Sequence, residues 1–196
     1  QAGLIKVLGK VWLPGFGAAL STVGFGAMIA FSSLLSAERN WSPVWLTFSA
    51  FAMALVVARL FFGHTPDKLG GAKVGLACVF VEAAGLALIW FASSSAVAAL
   101  GAALTGFGYS LVYPGLGVEA VRGAPPQSRG VAMGAYTVFL DVALGLGSPA
   151  LGILAGWKGL GSVFLVSAMV VLGAAGVAAT LLPVSSRGSA HKRQNG

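Results

Sequence analysis

Long uninterrupted apolar runs, rather than alternation, dominate the chain. No charged residue occurs over 11–37, 40–58 or 159–186, and 83–118 is broken only by Ser93, Ser94 and Ser95. A helix that crosses a bilayer needs about 20 mostly apolar residues. Cutting the chain at charges, prolines and serine clusters predicts six such helices, over about 11–36, 42–63, 74–92, 96–118, 130–155 and 160–183. Short turns join them. Membrane-spanning strands would instead show alternating segments of about ten residues, a pattern missing here. The expected class is an all-α membrane protein, with a six-helix transmembrane domain over 1–184 and a basic tail over 185–196.

Composition sharpens this picture. Only 9% of residues are charged and 57% are hydrophobic, whereas a soluble domain carries roughly a quarter charged residues. Too few polar side chains exist to cover a water-soluble fold of this length, and the hydrophobicity is too high for disorder. The single cysteine, Cys78, excludes a disulfide scaffold. The 29 glycines suit membrane helices, where small residues let backbones approach closely. Gly15, Gly17, Gly24 and Gly26 crowd the first span. The pairs Gly130/Gly134 and Gly152/Gly156 each share a face of one helix, and tight packing is the expected role of both. Pro14-Gly15 and Pro114-Gly115 are the places where a hinge would sit.

The net charge of +7 raises the question of nucleic acid. With the N-terminus inside, Lys6, Lys10, Arg59, Lys68, Lys73, Arg122, Arg129, Arg187, Lys192 and Arg193 fall on the inner side. Only Arg39 and Lys158 fall outside, the asymmetry expected of a cytoplasmic face. Basic residues spread over separate inner turns do not form a nucleic-acid surface; the expected partner is the lipid bilayer, with both termini cytoplasmic. Trp12, Trp41, Trp45, Trp90 and Trp157 fall near predicted span ends, as an interfacial belt requires. The chain begins with Gln1 and shows no cleavable signal, so a fragment or one half of a longer protein is expected.

The connection between the second and third spans reads Gly63-His64-Thr65-Pro66-Asp67-Lys68-Leu69-Gly70-Gly71-Ala72-Lys73. Gly63 can end a helix in a left-handed turn, and Pro66 cannot continue one. Asp67 can cap a helix or pair with a cation, while Lys68 and Lys73 hold the loop inside. A plain tight turn with topogenic charges would also explain these residues. Gly63, Asp67, Lys68 and Gly70 match the signature loop of the major facilitator superfamily. The basic pair of that pattern is replaced by Gly71 and Ala72, with only Lys73 following. The chain resembles the C-terminal six-helix half of such a twelve-helix transporter, and the segments 108–115 and 139–145 are similar to bacterial drug and sugar efflux members. The resemblance implies two three-helix repeats per half, a central cavity between two halves, and an N-terminal six-helix half as partner.

Candidate chemistry lies at membrane depth, where an ionisable side chain is costly and usually has a task. Asp141, in the middle of the fifth span, suits a carboxylate that takes up and releases protons, or one that holds two helices together. Glu82, in the third span, is the other proton-coupling candidate. The resemblance makes that helix peripheral, which favours a hydrogen bond from Glu82 to a Ser or Thr of another helix. Glu119 and Arg122, three apart, can pair on one helix face. With Arg129 they form a cytoplasmic charge cluster, either a gate or an ordinary solvated pair. The resemblance also makes the first and fourth spans line the cavity, which nominates Ser21, Thr22, Tyr109 and Tyr113.

His64 and His191 have no second ligand nearby, and no nucleotide-binding or metal-ligand spacing occurs, so no cofactor or metal is expected. The expected function is secondary active transport of a small organic solute by alternating access, as proton-coupled efflux across a bacterial inner membrane. Two alternatives are a six-helix scaffold with no solute and an intramembrane enzyme. The enzyme would need Glu82 and Asp141 side by side.

Overall fold

The computed structural model describes residues 2–194, with side chains over 7–182. The side chains of the basic tail, Arg187, Lys192 and Arg193 among them, and that of Lys6 lie outside the described residues. The chain forms α1 (Ala2–Glu38), α2 (Leu46–Phe62), a short α3 (Thr65–Leu69), α4 (Gly71–Phe91), α5 (Ser95–Arg122), a 3₁₀ turn (Pro126–Ser128), α6 (Arg129–Lys158) and α7 (Leu160–Gln194). Among the described residues there is no strand. Among the described residues five helices are long and apolar enough to cross a membrane, and α2 is a shorter apolar helix of 17 residues. At about 1.5 Å per residue α2 reaches roughly 25 Å, a turn short of the hydrocarbon thickness of about 30 Å.

α1, α5 and α6 run past the predicted ends, whereas α2 begins four residues inside its predicted start of 42. The physical reason is that charge marks the edge of the hydrocarbon, whereas a helix ends only where its backbone is turned aside. Those turns are chemically specific. Asn40 stands at φ 54° after α1, a residue tolerated in the left-handed region that closes helices. The Ser94 hydroxyl accepts from the Val97 amide and caps α5. Gly70 (φ 99°) and Gly159 (φ 86°) each form the whole connection between two helices.

The left-handed turn expected at Gly63 is therefore displaced. Gly63 has φ −57° and the chain continues through it into α3, with the reversal deferred to Gly70. Pro66 opens α3 rather than ending a helix, since its missing N–H is harmless in a first turn.

α5 sits at the centre, packed on α4, α2 and α1, while α7 covers α1 and α4. α1, α2 and α4 form the first three-helix unit and α5, α6 and α7 the second, one half of a twelve-helix fold. Met28, Leu35, Leu86, Ile89, Leu116, Tyr136 and Phe164 fill the core. Outward-facing Leu60, Phe61, Phe91, Leu146 and Trp157 are each more than two-thirds exposed. So much bulky apolar surface is untenable in water and ordinary against lipid.

Glycine packing follows the expectation in α1 and departs from it in α6. A Cβ on Gly15 would strike Phe139, and one on Gly24 would strike Leu86 and Val171. Gly130, Gly134 and Gly156 have nothing within 4 Å, and Gly152 only the ring edge of Phe31 at 3.9 Å. Close backbone approaches instead join Gly71 and Gly85 of α4 to Gly115 and Gly101 of α5. Spacing shows that two glycines share a face, but it does not show whether another helix covers that face.

Candidate functional site

Antiparallel helices bring the start of α1, the α2–α4 connection and the α5–α6 turn to one end of the bundle. Lys10 Nζ donates to the Gly123 carbonyl at 2.9 Å and ties α1 to the end of α5. At the same end Glu119 is almost wholly buried. Its Oε1 accepts from the Ala72 amide at 3.1 Å and lies 3.2 Å from Arg122 Nη1. An ordinary solvated pair is thus not what forms. The first turn of α4 has free amides and no capping side chain of its own, and Glu119 reaches across from α5 to supply the anion. Asp67, Lys68 and Lys73 are exposed on the surface of this end, as is His64, while Gly70 and Gly71 carry the chain against α5.

Deeper in the bundle, Ser21 Oγ of α1 donates to Glu82 Oε2 of α4. Thr22 Oγ1 lies 3.2 Å from the Tyr109 hydroxyl of α5 and bonds to the Ala18 carbonyl at 2.7 Å. Ser21, Thr22 and Glu82 have no solvent-accessible surface. The placement of Ser21 and Thr22 on a cavity wall is therefore corrected: both turn into the half and bind α1 to α4 and α5. Helix membership alone does not say which way a side chain points, and polar groups at this depth turn toward partners. The second oxygen of Glu82 has no partner among the described residues.

The open space lies on the other side of Tyr109. A groove of about 250 Å³ between α1, α2 and α5 is lined by Phe25, Leu55, Arg59, Tyr109, Ser110 and Tyr113. Phe25 and Tyr109 stack at 4.6 Å between centroids and 25° between planes, a nearly flat aromatic wall. The Arg59 guanidinium sits 5.4 Å from the Tyr113 ring centroid. Beyond Tyr113 a second cleft of about 520 Å³ separates α5 from α6, with Arg122 and Arg129 on its walls. Tyr136 donates to the Tyr113 carbonyl at 2.7 Å and holds α6 to α5 between the two spaces. Tyr109 and Tyr113 thus line open space.

Asp141 lies on the exposed side of α6, with no hydrogen bond or ion pair among the described residues. It shares that side with Gly130, Gly134 and Gly145, which face open space. α4 and α6 do not pack on each other, and Glu82 is enclosed while Asp141 is open, so the acid pair an enzyme would require is not assembled. Two site residues escape the sequence-based reading. Arg59 counts there only as an inner-side charge, and Phe25 is not singled out at all. The available signal was an arginine inside an apolar run, four residues before Gly63.

Comparison with known proteins fits this architecture. Residues 14–196 match the sequence profile of the Major Facilitator Superfamily. The chain is 43% identical over 175 residues to an uncharacterized MFS-type transporter of Pseudomonas aeruginosa, covering 89% of this chain and 44% of the relative. It is 41% identical over 179 residues to one of Salmonella typhimurium, covering 91% and 46%, and 45% identical over 173 residues to one of Burkholderia mallei, covering 88% and 42%. The chain spans somewhat under half the length of these curated relatives. Six antiparallel helices in two three-helix units, the Gly63–Gly70 signature spacing and a match over nearly the whole length lead to one assignment: the chain belongs to the major facilitator superfamily.

Proposed function

We propose that this chain is the C-terminal half of a secondary active transporter that exports a small organic solute by alternating access, coupled to protons. The observation that carries the reading is the unpartnered side of α6. It presents an ionisable residue, Asp141, among small residues that leave room for a second helix bundle. Membership of the family supplies the transport class, and the missing partner is an N-terminal six-helix half. Tyr109 and Tyr113 contribute to the solute cavity, Asp141 carries the proton, and the Ser21–Glu82 pair locks α1 to α4 or takes a second proton. The signature loop and the cluster of Glu119, Arg122 and Arg129 form the part that moves as the cavity opens and closes.

Charge asymmetry supports cytoplasmic termini in a bacterial inner membrane. Lys10, Lys68, Lys73, Arg122 and Arg129 gather at one end, whereas Arg39 and Lys158 stand at the other. The test uses full-length protein in vesicles loaded with a pH-sensitive dye. Asp141→Asn is expected to abolish solute-dependent proton movement while insertion and solute binding persist. Undiminished proton movement would remove Asp141 from the coupling role.

A further inference from the structure

The groove between α1, α2 and α5 has a chemistry more specific than a general solute cavity. Of its polar groups, two are already engaged. Ser110 Oγ donates to the Leu55 carbonyl at 2.8 Å, and the Tyr109 hydroxyl meets Thr22. That leaves the Arg59 guanidinium and the Tyr113 hydroxyl to meet a ligand. Arg59 has no carboxylate within ion-pair reach among the described residues. No acidic side chain lines the groove, and none lines the cleft beyond Tyr113, where Arg129 is likewise without an acid and Arg122 is held by Glu119. Neither space offers an anion to pair with a cationic solute, and Arg59 repels one.

The Arg59 guanidinium, 5.4 Å from the Tyr113 ring centroid, is a planar fork of donors of the kind that binds a carboxylate through two parallel hydrogen bonds. Beside it, the stacked rings of Phe25 and Tyr109 form a flat apolar surface suited to a planar ring. At about 250 Å³ the groove has room for a single ring and is smaller than the roughly 300–1,000 Å³ of sites for drug-sized molecules. We infer that this groove binds a small planar organic anion, a single-ring carboxylate with its anionic group on Arg59 and its ring against Phe25 and Tyr109. The inference rests on the transport reading and names the substrate class of that site.

Calorimetric titration of the full-length protein in detergent with benzoate, benzyl alcohol and benzylamine tests it. Benzoate is expected to bind saturably, about tenfold or more tighter than benzyl alcohol, the span of one charge-assisted contact, and benzylamine is expected not to bind. Arg59→Gln should weaken benzoate by about tenfold or more and leave benzyl alcohol unchanged, with Arg59→Lys in between because it keeps the charge and loses the fork. Leu55→Trp, which fills the groove from α2, should abolish benzoate binding. Equal affinity for the alcohol or the amine, an unaffected Arg59→Gln, or benzoate bound normally by Leu55→Trp would each overturn the assignment. Flux into vesicles separates the two levels. Benzoate binding without flux upholds the anion site and removes the transport reading, whereas flux of neutral or cationic solutes without benzoate binding does the reverse.

Discussion

Replacing Gly85 with Ala adds a single methyl group where α4 and α5 approach closely. A Cβ there would lie 2.5 Å from the Gly101 carbonyl oxygen and from Thr105 Oγ1, and 2.6 Å from the Thr105 amide nitrogen. Ordinary contact begins near 3.4 Å, so α4 and α5 would have to part by roughly 0.9 Å. Two of the three obstacles are backbone, which cannot rotate away. Overpacking of this kind costs about 1–3 kcal/mol, and a backbone clash belongs at the upper end of that range. Alanine returns up to about 1 kcal/mol through its better helix propensity, leaving a net loss of about 2 kcal/mol. Gly176→Ala on α7 is the control, because nothing lies within 4 Å of its added methyl. It should be neutral or stabilising by up to about 1 kcal/mol. The two variants should therefore differ by about 3 kcal/mol in equilibrium unfolding with dodecyl sulfate in mixed micelles, followed by tryptophan fluorescence. Indistinguishable midpoints would show that α4 and α5 are not held together by glycine contact, and the central interface of the fold would have to be redrawn.

Three further outcomes are expected. Glu119→Ala should cost about 1–3 kcal/mol in the same assay, because the buried Ala72 amide loses its acceptor; Glu119→Gln, which still accepts but carries no charge, should lose less, and equal losses would refute the cross-helix cap. Asp67→Ala should slow turnover in reconstituted vesicles with little change in unfolding, since Asp67 is exposed and makes no hydrogen bond among the described residues. Normal turnover would remove the signature loop from the conformational cycle. Cysteines introduced beside Lys68 should react with impermeant reagent only from the inside and those beside Lys158 only from the outside; the reverse pattern would invert the topology.

How far the sequence reaches can be judged from particular residues. Composition and run length alone gave the solvent and the six apolar helices in their order, because transfer of each segment into hydrocarbon is a sum over its own residues. The short spacing Gly63, Asp67, Lys68, Gly70 pointed to the family that the comparisons then established. The tertiary structure decided everything that depends on which side of a helix is covered. Ser21 and Thr22 lie on a helix expected to line the cavity, yet both turn inward to Glu82 and Tyr109. Gly130 and Gly134 share a face as their spacing requires, yet nothing in this half covers it, while Gly85 and Gly101, far apart in the chain, touch through their backbones. Arg59 counts in the sequence as one more inner charge, and only the crossing of α2 over α5 sets it on Tyr113. Hydropathy is a property of each residue in turn and can be read along a line. Contact is a property of pairs on different helices, and hydropathy does not say which of the six apolar stretches will be neighbours until packing selects them.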